Sequence, residues 1–190
     1  MKNLANFLFE VGMLKRTPRT GFQFLGSGAE SVAEHSFRTA IIGYTLAQMD
    51  GTADIGRVLQ LCLFHDIPEA RTGDLNYVNK KYVQADEQKA VEDLAKQLPF
   101  GADYRQTLEE FSDRQSRESE LAHDADQLEM ILALKEHKDL GNRYADEWYP
   151  FAFKRLQSDV ARELATTIWD TDSTLWWFDN DTDWWVKGEK

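Results

Sequence analysis

The sequence predicts an all-α helical bundle, and three observations carry that expectation. Apolar residues recur at spacings of three and four, the period of an amphipathic helix. Only four prolines occur in 190 residues, Pro18, Pro68, Pro99 and Pro150, and each falls where an apolar pattern stops. Alternating strand patterns are scarce: Phe22-Gln23-Phe24-Leu25 is the one candidate, and it sits between glycines.

The elements follow in order. Phe7, Val11 and Leu14 step by four and three and predict a first helix. Ser31 with Glu34 has the spacing of a capping box, so a second helix starts after Ser31 and runs through Phe37, Ile41, Tyr44 and Ala47. Val58, Leu61, Cys62 and Phe64 belong to the next, Val91, Leu94 and Leu98 to a third, and Leu121, Ala125, Leu128 and Leu132 to a fourth. Phe151, Leu156, Val160, Leu164 and Ile168 imply one or two more. Such helices bury their apolar stripes against each other. No repeat or long linker divides the chain. Residues 1–168 are expected to form one domain, and residues 169–190 an acidic, Trp-rich extension packed on that domain or on a second subunit.

Composition bounds the function. A chain of this length buries roughly 70% of its unfolded surface and needs no disulfide. The 33 acidic and 22 basic residues give a net charge of −11, which argues against binding long nucleic acids, whose phosphates demand Lys and Arg. No apolar run approaches the roughly 20 residues of a membrane span. The N-terminus has a Glu in its apolar part and lacks the features of a signal peptide. The single cysteine, Cys62, fits a reducing compartment, so a cytoplasmic location is expected. A homodimer is expected from the general prevalence of twofold assemblies.

The chemistry concentrates around the histidines, of which there are four: His35, His65, His123 and His137. His65-Asp66 ends an apolar run, where an ionisable pair is costly unless something compensates it. A divalent cation does so, since imidazole nitrogen and carboxylate oxygen both ligate borderline metals; a plain hydrogen-bonding role for Asp66 is the alternative. Glu69 shares the helical face of His65 and Asp66, but Pro68 bends or ends the helix before it. Thr72-Gly73-Asp74 is a turn with another carboxylate. Downstream, Asp126 shares a small apolar face with Ala122, Met130 and Ala133, while Asp124 shares one with Leu121, Leu128 and Ile131; spacing excludes neither.

In their order, these residues resemble the H…HD…D signature of the HD-domain metal-dependent phosphohydrolases. The segments around Leu14–Gly21, Glu30–Ser36, Leu63–Ala70 with Thr72-Gly73-Asp74, and Ala125–Glu129 resemble the 5′-deoxynucleotidase branch of that family. The resemblance covers about residues 4–140 and implies an all-α fold with one divalent metal, Mn, Co, Mg, Fe or Ni, held by His35, His65, Asp66 and Asp126. It implies that Glu69 orients or deprotonates a nucleophilic water, with support of His65 as the alternative. It places Asp74 near the sugar, where a carboxylate accepts from a 3′-hydroxyl; a simple turn aspartate is the alternative. It implies that Arg16, and with it Arg19, contacts the phosphate or the nucleoside, against an ordinary surface pair. Relatives often have Trp at the position of Phe22. Two-metal sites need extra histidines after the doublet, and none lies between His65 and His123.

The expected activity is hydrolysis of (deoxy)nucleoside 5′-monophosphates to nucleoside and phosphate. The alternatives are another nucleotide substrate (a triphosphate, for which Lys80 and Lys81 could add charge, or a cyclic or signalling nucleotide) or a non-catalytic nucleotide-sensing module.

Overall fold

The structure is a computed structural model that describes residues 1–178 and 184–188. It is all-helical, as the spacing predicts. Helix α1 (Lys2–Val11) buries Phe7, and the 3-10 turn Gly12–Lys15 that follows buries Leu14. The chain then crosses the start of the second long helix. Thr17 and Arg19 exchange backbone hydrogen bonds with Val32 and Glu30 at 2.9 and 2.8 Å, forming an isolated bridge between Pro18 and Ser31. Phe22–Leu25, the one strand candidate, is a short helix, α2. It finds no partner strand among the described residues; Gly26 ends it in the left-handed region at φ 70°, donating its N–H to Phe22 O.

The centre is built from three helices. Helix α3 (Val32–Asp50) opens on the expected capping box, with Ser31 and Glu34 satisfying each other's backbone N–H groups, and Gly51 closes it at φ 71°. Helix α4 (Ile55–Phe64) is capped by Asp54. The short α5 (Glu69–Thr72) and helix α6 (Glu87–Ala95) lead into α7 (Gly101–Asp113). Helix α7 has no counterpart among the predicted helices, because charged residues dilute its Tyr104, Leu108 and Phe111 period. A Cβ on Gly101 would lie 1.8 Å from Ala95 O, so only glycine admits the tight turn from α6 into α7. Helix α8 (Arg117–Asp139) is the long central rod, followed by α9 (Tyr144–Phe153), α10 (Asp159–Asp170) and the short α11 (Trp184–Lys187).

Pro150 does not end a pattern; it lies inside α9. Its missing N–H costs one intrahelical bond, while Ala145 and Ala152, both buried, hold the helix against the core. The residue-168 boundary falls within α10, whose Trp169 stacks on Tyr149 at 3.9 Å and lies under Lys138. Part of the extension, residues 179–183 and 189–190, lies outside the described residues.

Two apolar clusters share the interior. The larger joins α3, α4, α8, α9 and α10 through Leu46, Leu61, Leu128, Ala152 and Ala161. The smaller joins α1, α6 and α7 through Phe7, Leu94 and Tyr104, and reaches Val32 and Ile67. Helices α3 and α4 approach closely because residue 43 is glycine: a Cβ there would lie 2.6 Å from Cys62 Sγ. Cys62 is fully buried and burial pushes its thiol up to about 12, so it packs as a small apolar group.

Candidate metal centre

The start of α3, the end of α4 and the middle of α8 converge on one point. The capping box fixes the start of α3, so His35, its fourth residue, turns inward beside buried Val32 and Thr39. At the end of α4, His65 still donates its N–H to Leu61 O, but Ile67 and Glu69 donate to Phe64 O and Asp66 O at 3.1 and 3.0 Å. The helix therefore tightens where Pro68 lacks a donor. This is the predicted bend, and it carries Glu69 into α5 while leaving it beside Asp66.

The imidazoles are oriented from behind. His65 Nδ1 donates to Cys62 O at 2.9 Å, and His35 Nδ1 donates to Glu129 Oε2 at 2.8 Å. Both Nε2 atoms then face inward. His35 Nε2 lies 3.2 Å from Asp126 Oδ1 and 3.5 Å from Asp66 Oδ2, and His65 Nε2 lies 3.2 Å from Asp66 Oδ2. Ligand atoms of His35, His65 and Asp126 all fall within 4.8 Å of one another. His65 Nε2, Asp66 Oδ2 and Glu69 Oε2 are buried without a hydrogen-bond partner. Lone pairs facing lone pairs in a dry site repel each other, and a divalent cation removes that conflict. The donor set, two nitrogens and two carboxylates, fits such an ion.

The electrostatics agree. Burial depresses the His35 imidazole, but hydrogen bonds to Asp126 and Glu129 outweigh it and push the group up to about 10, so the surroundings favour positive charge at this point. Burial also disfavours the Asp126 carboxylate, yet the His35 bond and charge hold it below the usual range. Glu69 has no such partner. Burial, then the charges of Asp66 and Asp74, push its carboxyl up to about 9.

A cavity of about 720 Å³ opens from this centre. Arg19, Asp66, Glu69, Asp74 and Asp126 line it, together with apolar side chains that include Phe22, Leu25, Met130, Trp148 and Phe151. Arg19 Nη1 lies 3.7 Å from Asp66 Oδ2. Burial works against its charge, but Asp66, Asp126 and Asp74 keep it cationic. Asp74 Oδ2 accepts from Thr20 N at 2.7 Å, and its carbonyl accepts from the Thr20 hydroxyl at 3.0 Å. Asp74 is thus both a turn aspartate and a cavity residue, and it ties down the segment that carries Arg19. Arg16 is exposed and does not line the cavity. Of the two N-terminal arginines, the structure brings only Arg19 to the centre.

Tertiary contacts separate the two aspartates that spacing could not. Asp124 is fully buried and accepts from Gln157 N, Ser158 N and Ser158 Oγ at 2.8, 2.8 and 2.6 Å, anchoring the start of α10. Asp126 faces the centre. His123 is structural as well: it stacks on Phe111 at 3.8 Å, donates to Phe111 O, and Phe111 in turn lies against His65.

Glu129 carries no predicted role, yet it is buried, bonded to His35, and clamped by Arg38 through Nε and Nη2 at 2.9 and 2.6 Å. Its signal is its place three residues after Asp126, on the same face of α8.

Comparison with known proteins points the same way. A model of the HD domain matches residues 11–169. The 5′-deoxynucleotidase HDDC2 of Bos taurus is 33% identical over 148 residues, covering 75% of this chain and 71% of the relative. A conserved hypothetical protein from Pyrococcus furiosus superposes with a TM-score of 0.73 at 30% identity, covering 88% of this chain and 99% of that one. A structure titled as a predicted metal-dependent phosphohydrolase, from Magnetospirillum magnetotacticum, gives 0.71 at 26% identity, covering 89% of this chain and 90% of that one.

Proposed function

The chain belongs to the HD-domain family and is a phosphohydrolase, and we propose that it hydrolyses deoxynucleoside 5′-monophosphates to nucleoside and phosphate, using one divalent metal held by His35, His65, Asp66 and Asp126. The observation that carries this reading is the set of buried, unpartnered atoms His65 Nε2, Asp66 Oδ2 and Glu69 Oε2 at the mouth of a cavity large enough for a whole nucleotide.

A divalent cation held by these residues would supply Lewis acidity to the phosphoryl group and to water. The chain's own residues do the rest. Arg19 offers guanidinium donors to the phosphate. Glu69, beside the ligands and free of a hydrogen bond at Oε2, would be drawn back to the carboxylate by the cation's charge and take the proton of the attacking water. Water adds to phosphorus, the bond to O5′ breaks, and the nucleoside leaves with a proton on that oxygen. Asp74 commits one oxygen to Thr20 N, which leaves the other to accept from the sugar 3′-hydroxyl.

The mixed nitrogen and oxygen donors suit Mn, Fe, Co, Ni or Mg. The reading includes a cytoplasmic location, supported by the inert single thiol, and a homodimer, supported by the exposed row of Phe37, Ile41 and Tyr44 along α3. No helix among the described residues is long and apolar enough to cross a membrane. The test is phosphate release from dAMP, dGMP, dCMP and dUMP with a panel of metals. EDTA-sensitive turnover is expected, and its absence across the panel overturns the proposal.

A further inference from the structure

Deepening the phosphomonoesterase reading, on which it rests, we infer that Arg155 contacts the nucleobase and selects guanine over adenine. Arg155 lies between α9 and α10, and it lines the same cavity as the metal centre. The other arginine of that cavity, Arg19, is already drawn to Asp66. Arg155 is not drawn to any acid: burial lowers its pKa, and no neighbouring carboxylate raises it. Arg155 is exposed at the cavity, and in a chain of net charge −11 its guanidinium has no carboxylate partner to compete with a ligand.

Its orientation is held from two sides. Gln127 Nε2 donates to Asp126 Oδ2 at 2.8 Å, which turns Gln127 Oε1 outward, and Arg155 Nη1 donates to that oxygen at 3.2 Å. The guanidinium carbon lies 5.3 Å from the centroid of the Tyr77 ring. Stacking engages the flat face of the guanidinium and leaves its in-plane N–H groups available. The chain Asp126–Gln127–Arg155 spans two hydrogen bonds and one carboxamide, roughly 8 Å at most. That is comparable to the distance from the 5′-phosphate to the base within one nucleotide. With the phosphate at the metal centre, the rest of the nucleotide enters a cavity whose lining includes Phe22, Trp148, Phe151 and Arg155.

The chemistry of the donor sets the preference. Arginine only donates, and its fork matches two adjacent acceptors. Guanine presents O6 and N7 side by side; adenine replaces O6 with an amino group that meets a guanidinium donor to donor.

The experiment compares kcat/KM for dGMP and dAMP in the wild type, Arg155→Met and Arg155→Lys, alongside the affinities of the two product nucleosides. Wild-type protein is expected to favour dGMP over dAMP by about 10- to 100-fold, the range of one bidentate base contact. In Arg155→Met the two substrates are expected to come within about threefold of each other, through a higher KM for dGMP with metal content unchanged. Lysine, a point donor, recovers only part of the preference. Deoxyguanosine should bind more tightly than deoxyadenosine in the wild type and equally in Arg155→Met. A wild type without preference for dGMP overturns the inference, as does an equal loss for both substrates in Arg155→Met. If no monophosphate is hydrolysed but Arg155-dependent binding of deoxyguanosine persists, the base contact stands and the phosphomonoesterase reading falls.

Discussion

Glu129 Oε2 lies 2.8 Å from Nδ1 of His35, and both side chains are buried. The carboxylate fixes which imidazole nitrogen carries the proton, and it leaves Nε2 facing Asp66 and Asp126. Arg38 balances the carboxylate from the far side. Such a partner makes the imidazole a better ligand and holds its ring in place.

Removing that partner should weaken the metal before it harms the fold of the cleft. Glu129→Ala is expected to lower metal affinity about 10- to 100-fold. Glu129→Gln keeps an acceptor for Nδ1 and should lose less. Titration calorimetry with Mn²⁺ decides; equal affinity in Glu129→Ala and wild type would show that His35 needs no support.

Asp66 and Glu69 should part company when each is truncated. Asp66→Ala is expected to lose both bound metal and activity. Glu69→Ala should retain stoichiometric metal and lose about 100-fold or more in kcat, the scale of a missing general base. Metal analysis of the Glu69 variant is the discriminating measurement, since loss of metal would make Glu69 a ligand.

Asp124 should behave as a structural residue although it lies two positions from Asp126. Its carboxylate satisfies three donors at the start of α10. Asp124→Ala leaves the two Ser158 donors buried and unpaired and the Gln157 N–H without its acceptor, a cost of about 3 kcal/mol. Urea denaturation should show this loss, while the folded variant keeps its metal and most of its kcat.

Stability should fall in acid through Asp50. Hydrogen bonds from Arg117 first, then Thr52, hold its carboxylate down at about 2, below its ordinary value. A carboxylate depressed in the folded state stabilises above its unfolded pKa, and that contribution disappears as pH falls from about 4 towards 2. Arg117 is partly exposed, so solvent screening reduces the effect to about 1 kcal/mol. Denaturation of wild type and Arg117→Met should differ by that amount at pH 6 and converge near pH 2; a constant difference would assign the effect to packing.

Helices α3, α4 and α8 were legible in the residues because their signals are local. A capping box, a Pro after an apolar run and a three-four period each act within a few positions of the chain, as Ser31, Pro68 and Leu121–Leu132 do. The ordered segments around His35, His65-Asp66 and Asp126 likewise stand in the sequence, and the folded chain brings them together. Local signals misled where they were short. Phe22–Leu25 alternates like a strand but has no neighbour to pair with, so it closes on itself as a helical turn. Pro150 breaks a helix in isolation, yet packing against the core carries α9 through it.

The remaining decisions depended on which elements meet, and no spacing along one helix reports that. Asp124 and Asp126 look alike in sequence; the difference is that the start of α10 lies against one and two imidazoles lie against the other. Arg16 and Arg19 look alike in sequence, and only the bridge between residues 18 and 31, with Asp74 holding Thr20, turns Arg19 towards the cavity. Glu129 and Arg155 acquire meaning from partners 94 and 28 residues away. Helix boundaries follow from bonds within a few residues, whereas a site is a set of charges whose cost of burial is relieved by groups distant in the chain.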